Sequence, residues 1–330
     1  MSSHRDDSDA PDAPGVFHAG ELLMQERCGV RDRIEQVGLA LIHHTMSLQH
    51  RQFFAMQRLL FAGSLDEQRR PWASVLCGER GFVHALDERT LRVDALPQSG
   101  DPLAANLAAG VPLGLLGIEF ATRRRNRMNG TVVETDANGF RVGVDQSFGN
   151  CPQYIQARDF TVRSESALAH PVEELGADLD DHALAIVGRA DTLMIATAAA
   201  QARGRAGADG VDVSHRGGKP GFVRASRDGS GRTVLAMPDF RGNYLFNTLG
   251  NITANPRAGL LIFDFASGAL LQLTGTAAIV WDGSDVDAYA GAQRLVVVAV
   301  EDARLRRGAL PIAWSEPEFA RQLDDTGPWR

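Results

Sequence analysis

The chain has 330 residues, 44% hydrophobic and 23% charged, which is ordinary for a soluble globular protein of one to three domains. A net charge of -7 argues against general nucleic-acid affinity, and three widely spaced cysteines without a CxxC exclude a disulfide framework or a cysteine zinc site. No apolar run approaches the ~20 residues of a membrane span, and the whole reads as a cytoplasmic protein.

Residues 1–15, MSSHRDDSDAPDAPG, are acidic and Pro-rich without an apolar core, so they read as a disordered tail and not as a signal peptide. Residues 16–57 carry helical spacing in Leu22, Leu23, Ile34, Val37 and Leu41, then Phe53 and Phe54. Residues 58–148 break into strand-like pieces, LLFAGSL, PWASVL, TLRVDAL, PLGLLGIEF and GTVVETD. In residues 149–189, CPQYIQARDF and ESALAHPVEELGADLDDHALAIVGRA predict a helical connector, with Pro171 at one helix start and Asp180–Asp181 before another. Residues 190–330 return to strands: TLMIATA, GVDVSH, GFVRAS, TVLAMP, AGLLIFDF, LLQLTGTAAIVW and RLVVVAVE.

The two strand-rich regions are related. SVLCGERGFV from Ser74 aligns with SHRGGKPGFV from Ser214 at an offset of 140, RTL at Arg89 with RTV at Arg232 at 143, VPLGLLGI at Val111 with NPRAGLLI at Asn255 at 144, and MNGT at Met128 with LTGT at Leu273 at 145. Preserved order with a drift of five residues marks two copies of one fold. Several short strands with one helical insertion per copy predict a small barrel, which protects strand edges.

The helical insertion of copy two lies in MPDFRGNYLFNTLGNITANPRAGLLIFDF, from Met237 to Phe265. A short helix is expected over Tyr244 to Ala254, stopped by Asn255-Pro256. Its free N–H groups, with Arg241, Asn243, Asn247 and Thr248, make a cluster that a phosphate monoester would fit; the competing reading has Asn243 capping the helix and the others facing solvent. Copy one reads ALPQSGDPLAANLAAGVP here and has lost the arginine and threonine, which points to one copy that binds and one that supports. Upstream, Asp212 to Gly221 (DVSHRGGKPG) runs from a strand end into a Gly-rich turn, read either as backbone approaching a flat ligand or as a plain hairpin with solvated Arg and Lys. In TRRRNRMNG, Arg125, Arg127 and Asn129 share one strand face, with Leu270, Gln272 and Thr274 as their counterparts; a ligand-facing strand and a solvated basic edge fit equally. His43 and His50 lack a third ligand, so no metal site is expected, and no GxSxG, GxxxxGK[ST] or GxGxxG occurs.

Taken together, DVSHRGGKPGFV, RTVLAMPDFRGNYLFNTLGNITANPRAGLLIF and LLQLTGTA resemble the pyridoxamine 5′-phosphate oxidase-like proteins with an FMN-binding split barrel, and GNCPQYIQAR is similar to the segment that follows the barrel in some members. The resemblance covers roughly residues 50–160 and 190–283. It implies a mainly β fold with flanking helices (α+β), two tandem split β-barrels of the FMN-binding type, the second in residues 190–330 holding the FMN phosphate. It also implies that Arg241, Asn243, Asn247 and Thr248 take the phosphate and that Ser214, Arg216, Gly217 and Lys219 lie near the ring or ribityl chain. Arg125, Arg127 and Gln272 would add contacts from the partner-barrel strands. The activity implied is that of an FMN-dependent oxidoreductase acting on a small molecule, with NAD(P)H docking transiently, in a homodimer. Family members use a Ser-Arg-Lys cluster on the phosphate where Phe246, Asn247 and Thr248 stand here, which argues against pyridoxamine phosphate as substrate. Alternatives from the same residues are a flavin carrier or sensor without turnover, and a split barrel holding haem, through His215, or a deazaflavin. No catalytic acid or base stands out.

Overall fold

The computed structural model describes residues 15–162, 171–200, 208–310 and 312–330. The tail read as disordered, apart from Gly15, and the stretch 163–170 lie outside the described residues. Three helices open the described chain: α1 (Ala19–Arg27), α2 (Arg31–Leu41) and α3 (Leu48–Ala55). Two of them start on side-chain caps, His18 in a reciprocal box with Glu21, and Ser47 accepting from the His50 amide.

Seven strands follow: β1 (Leu59–Leu65), β2 (Pro71–Cys77), β3 (Val83–Ala85), β4 (Thr90–Val93), β5 (Pro112–Glu119), β6 (Arg124–Asp136) and β7 (Gly139–Asn150), with α4 (Pro102–Asn106) between β4 and β5. Their order in the antiparallel sheet is β2-β1-β5-β6-β7-β4-β3. The connector carries two short strands, β8 (Phe160–Val162) and β9 (Glu173–Glu174), and a single helix among its described residues, α5 (Asp181–Arg189). The expected helix over CPQYIQARDF does not form. Tyr154 sits there at φ 64, and the segment is an irregular stretch with one turn whose polar groups bond mostly to the barrels on either side. Arg123 and Arg125 donate to the Ile155 and Cys151 carbonyls, the Tyr154 hydroxyl donates to the Arg241 carbonyl, and Gln156 donates to the Gly218 carbonyl. No helix starts at Pro171 either, since the residues after it pair as β9 with Leu305 and Arg304 of the second barrel. Helix α5 begins where expected, on an Asp180 carboxylate that accepts from the Ala183 amide.

The second set, β10 (Thr192–Ala198), β11 (Val211–Gly217), β12 (Arg224–Arg227), β13 (Thr233–Asp239), β14 (Arg257–Asp264), β15 (Ala269–Val280) and β16 (Arg294–Arg306), takes the order β11-β10-β14-β15-β16-β13-β12. That order is the first sheet's with every strand replaced by its repeat. Helix α6 (Asn247–Ala254) stands where α4 stands, and α7 (Ser284–Asp287) and β17 (Ile312–Trp314) complete the chain. Even the irregularities repeat: a β-bulge at Asn129/Gly130 recurs at Thr274/Gly275, and a Cβ on either glycine would lie about 2 Å from a facing carbonyl oxygen. The protein is therefore mainly β with flanking helices, built as two tandem split barrels. Pairing of Gly114 with Asn129 and of Gly259 with Thr274 sets the offset at β5/β14 to 145, one more than the sequence alignment gives.

Each barrel has its own apolar filling. Leu60, Leu91, Leu115, Met128, Phe140 and Val142 fill the first, and Leu193, Leu235, Leu260, Leu271, Val298 and Leu305 the second. A third cluster joins the barrels: Phe61, Val75, Leu116 and Ile118 face Met194, Val213, Leu261 and Phe263. Strand β2 packs on β14 and β11 packs on β5, which is a two-fold exchange of equivalents within one chain. The approach is close enough to require glycine. A Cβ at Gly259 would lie 2.2 Å from the Pro71 oxygen, and one at Gly114 2.5 Å from the Val211 oxygen. Gly259→Ala is expected to destabilise the protein by about 1–3 kcal/mol, the usual range for overpacking, as a lowered midpoint in urea unfolding. An unchanged midpoint would mean that the barrels slide apart freely.

Candidate functional site

At the seam between the barrels lies a half-open cleft with a cavity volume of about 120 Å³. Barrel one supplies β6 and the segment after β7. Barrel two supplies β11, the end of β13 and the loop into α6. Among the expected site residues, Arg125, Arg127, Ser214, Arg216, Gly217, Asn243, Asn247 and Thr248 all line it. Residues far apart in the chain, such as Arg125 and His215 at a separation of 90, are gathered by the two-fold pairing, because β6 of one barrel lies against β11 of the other.

Three expected residues are elsewhere. Lys219 turns away, its Nζ donating to the Thr326 carbonyl at 3.0 Å and tethering the C-terminal segment. Arg241 is exposed and outside the lining, and only its carbonyl takes part, accepting from the Tyr154 hydroxyl at 2.9 Å. Gln272 is buried on the opposite side of the two-fold, donating to the Ala73 oxygen at 2.9 Å and to Asp101 at 3.1 Å.

Below the cleft floor is a buried polar cluster. Asp212 accepts from Arg127 Nη1 at 2.9 Å, Asn129 Nδ2 at 2.7 Å and Asn251 Nδ2 at 2.7 Å. Arg127 also donates to the Ser214 hydroxyl. Arg127 is consequently committed to the protein and unavailable as a free ligand-binding charge. Arg216 is likewise paired, with Asp239 at 2.5 Å.

Arg125 differs. It donates through Nε to the Cys151 carbonyl at 2.8 Å and reaches His215 Nδ1 at 3.4 Å, and among the described residues no carboxylate pairs with it. Burial and then Arg127 push its pKa down to about 10, so it still carries its charge at neutral pH. His215 is 5% exposed, its Nε2 has no partner, and burial, Arg125 and Arg216 hold its pKa well below the ordinary value of 6.5. The imidazole is neutral, with an unsatisfied atom in the wall of the cleft. Across the two-fold, Leu270 and Val75 hold the matching positions inside the apolar interface cluster. An arginine and a histidine stand on one side where the other has an apolar pair.

Helix α6 presents its N-terminus here. It begins at Asn247, three residues after the expected start, because Tyr244 and Phe246 take left-handed backbone (φ 62 and 64) and Asn243 Oδ1 accepts from the Leu245 amide. Phe246 offers no side-chain cap, and Asn247, Thr248 and Leu249, whose amides lack an intrahelical acceptor, all line the cleft. Two non-glycine residues in left-handed backbone beside a cleft are a local strain of the kind found at ligand sites. Sequence reading assigned no role to Asp212, Asp239 or Phe240. Asp212 lies on the strand face of Ser214 and Arg216 at two-residue steps, and that spacing is the signal that points to it. The Tyr154 ring tilts against Phe240 at 5.0 Å. A Cβ at Gly217 would lie 2.0 Å from the Tyr154 carbonyl oxygen, so Gly217 serves the close packing of the connector as well as the cleft.

The matching position on the other side is closed. Helix α4 is capped by Asp101, whose carboxylate accepts from the Leu103 amide at 2.9 Å and the Ser74 hydroxyl at 2.5 Å, and Leu76 takes the position equivalent to Arg216. A carboxylate therefore occupies the helix start that α6 leaves open. No group of three or more potential metal ligands occurs among the described residues, and none of their helices is long and apolar enough to cross a membrane.

No family model matches the chain, and no curated protein matches it. Among solved structures, it is similar to HupZ of Group A Streptococcus (15% identity, 39% of this chain and 93% of that one, TM-score 0.29). It is also similar to a protein of Lactobacillus delbrueckii provisionally described as a pyridoxamine 5′-phosphate oxidase (15%, 38% and 93%, TM-score 0.28) and to HutZ, the heme storage protein of Vibrio cholerae (11%, 43% and 97%, TM-score 0.23). At these scores the matches bear on neither ligand nor reaction.

Two outcomes follow from the cluster. Asp212→Ala leaves Arg127 buried and uncompensated and should cost about 3–5 kcal/mol in denaturant unfolding; a loss below about 1 kcal/mol would remove the cluster from that role. The unfolded chain protonates His215 near 6.5 whereas the folded chain resists it, so this residue withdraws stability as pH falls below 6.5. His215→Gln should flatten the acid side of the stability profile, and an unaltered slope would contradict the assignment.

Proposed function

We propose that the cleft binds flavin mononucleotide, one per chain, and that the protein is a cytoplasmic flavin-dependent oxidoreductase of the pyridoxamine 5′-phosphate oxidase-like type acting on a small molecule. The observation that carries this reading is the asymmetry of the two-fold: Arg125, which no described carboxylate neutralises, stands beside the uncapped start of α6, where the mirrored position has a leucine and a helix capped by a carboxylate. An anion is favoured on the first side and repelled on the second. A phosphate would take Arg125, the α6 amides and the side chains of Asn243, Asn247 and Thr248. The ring would lie in the open part of the cleft, beside Tyr154, Phe240 and Tyr244. Bound flavin would supply the electron-transfer chemistry, accepting electrons from a donor such as NAD(P)H and passing them to the substrate. The chain's residues hold and orient it. Both barrels of the cleft come from one chain, so pairing of two chains is not needed to complete it.

Haem is the second reading, through His215. Arg125 beside Nδ1 favours the tautomer with the ring hydrogen on Nε2, which disfavours a bond from that nitrogen to iron. Flavin is favoured for that reason. The test is the visible spectrum of the purified protein followed by titration with FMN. Flavin bands, or uptake of FMN at one per chain, are expected, and a Soret band would select haem. Arg125→Ala should weaken FMN about 10- to 100-fold, from the ~1.5–3 kcal/mol of a charged hydrogen bond, with little change for riboflavin, which lacks the phosphate. A colourless protein that takes up no FMN would reject the proposal.

A further inference from the structure

We infer that Glu21, on the N-terminal helix α1, is a positioning residue for the cleft: its buried carboxyl sets the side-chain amide of Asn247 at the start of α6. The inference rests on the reading of the cleft as an FMN site. It adds a residue that lies 226 positions from Asn247 in the chain and that no motif identifies.

The geometry begins with two glycines. Helices α1 and α6 cross in backbone contact: a Cβ at Gly20 would sit 2.1 Å from the Gly250 carbonyl oxygen, and one at Gly250 2.6 Å from the Glu21 nitrogen. Only glycines permit that approach, and it delivers Glu21 to the first turn of α6. Glu21 is 3% exposed. Its Oε1 accepts from Asn247 Nδ2 at 2.5 Å, and its Oε2 accepts from the His18 amide at 3.0 Å. Both oxygens are therefore engaged by N–H donors from two elements.

A primary amide has two unlike ends, and only its nitrogen can donate to a carboxyl. The bond to Glu21 consequently fixes which way Asn247 is turned. Asn247 lines the cleft and Glu21 does not, so the carboxyl acts through the amide and not on a ligand directly. The groups facing Glu21 are His18 at the cap of its own helix, Asp212 on β11, Arg127 on β6 and Asn247 on α6. Burial, and then Asp212, hold its pKa well above the usual carboxylate range. When ionised, both of its oxygens can only accept, and that is the state that fixes the amide.

The experiment is a double-mutant cycle on FMN affinity, with Glu21→Gln, Asn247→Ala and the pair, each checked for folding by its thermal midpoint. The Glu21→Gln change keeps the side-chain volume but replaces one acceptor oxygen by a donor, so the new amide cannot serve both His18 and Asn247. Glu21→Gln is expected to raise the FMN Kd about three- to tenfold in the natural chain and to leave it unchanged in the Asn247→Ala background. A merely structural residue would lower the midpoint and leave the Kd unchanged, or act equally in both backgrounds; either result overturns the inference while leaving the FMN site intact. Failure of the natural chain to bind FMN would instead overturn the site reading and this inference with it. If Glu21→Gln does not fold, Glu21→Asp, which keeps the acceptors and loses reach, replaces it with the same outcomes.

Discussion

The structure turns on one buried carboxylate. Asp212 takes three N–H donors, from Arg127 and Asn129 on barrel one and from Asn251 on α6 of barrel two. Each element it ties also lines the cleft, at a spacing set by its own geometry. Arg125 stands two residues before Arg127 on β6, Ser214 and Arg216 stand two and four after Asp212 on β11, and Asn247 stands four before Asn251 on α6. Two-residue steps along a strand and four-residue steps along a helix keep a side chain on the same face. Fixing the lower layer therefore fixes the upper one. Ion pairs buried this deeply contribute little net stability compared with apolar packing, but they are intolerant of misalignment. That intolerance suits a cleft whose walls come from two barrels with separate cores.

The duplication explains why such a device is needed. Two copies of one barrel meet through equivalent strands, so the pairing generates two related clefts. The apolar cluster of Phe61, Val75, Leu116, Met194, Val213, Leu261 and Phe263 holds the pair together without favouring either side. Polarity breaks the tie. On one side Arg125 brings an unneutralised positive charge and His215 an unsatisfied ring nitrogen. On the other, Leu270 and Val75 continue the apolar seam, Leu76 turns into the core of barrel one, and Asp101, Ser74 and Gln272 close a hydrogen-bonded plug.

Much of this is legible in the sequence, and the boundary is physical. The repeat, the mainly β class and most strands follow from short apolar runs between turn residues, and β1 and β10 match their expected segments end to end. Strand β7 escapes because Gly143, Asp145, Gln146 and Ser147 interrupt its alternation, and its partners, not its composition, hold it in the sheet. The failed helix at CPQYIQARDF has a similar cause, since Tyr154 and Gln156 are fixed by contacts to residues 62 to 87 positions away. Most expected site residues do meet at the cleft, because turn chemistry and a free helix start are local signals. Which charges are spent is not local. Arg127 and Arg216 look like Arg125 in the chain, and only the partners Asp212 and Asp239 reveal that they are neutralised.

The two-fold also changes what each copy does. Sequence reading cast copy two as the binder and copy one as its support, since only copy two keeps the polar turn before its helix. In the folded chain each cleft takes a helix start from one copy and a β6-type strand from the other. The open cleft needs α6 from copy two and Arg125 from copy one. The closed one needs Asp101 at the cap of α4 from copy one and Gln272 from copy two. The two clefts therefore differ through residues of both halves, and each barrel contributes strands to the open cleft and to the closed one. A duplicated chain can hold such asymmetry, whereas two identical subunits related by a true two-fold would carry every change on both sides.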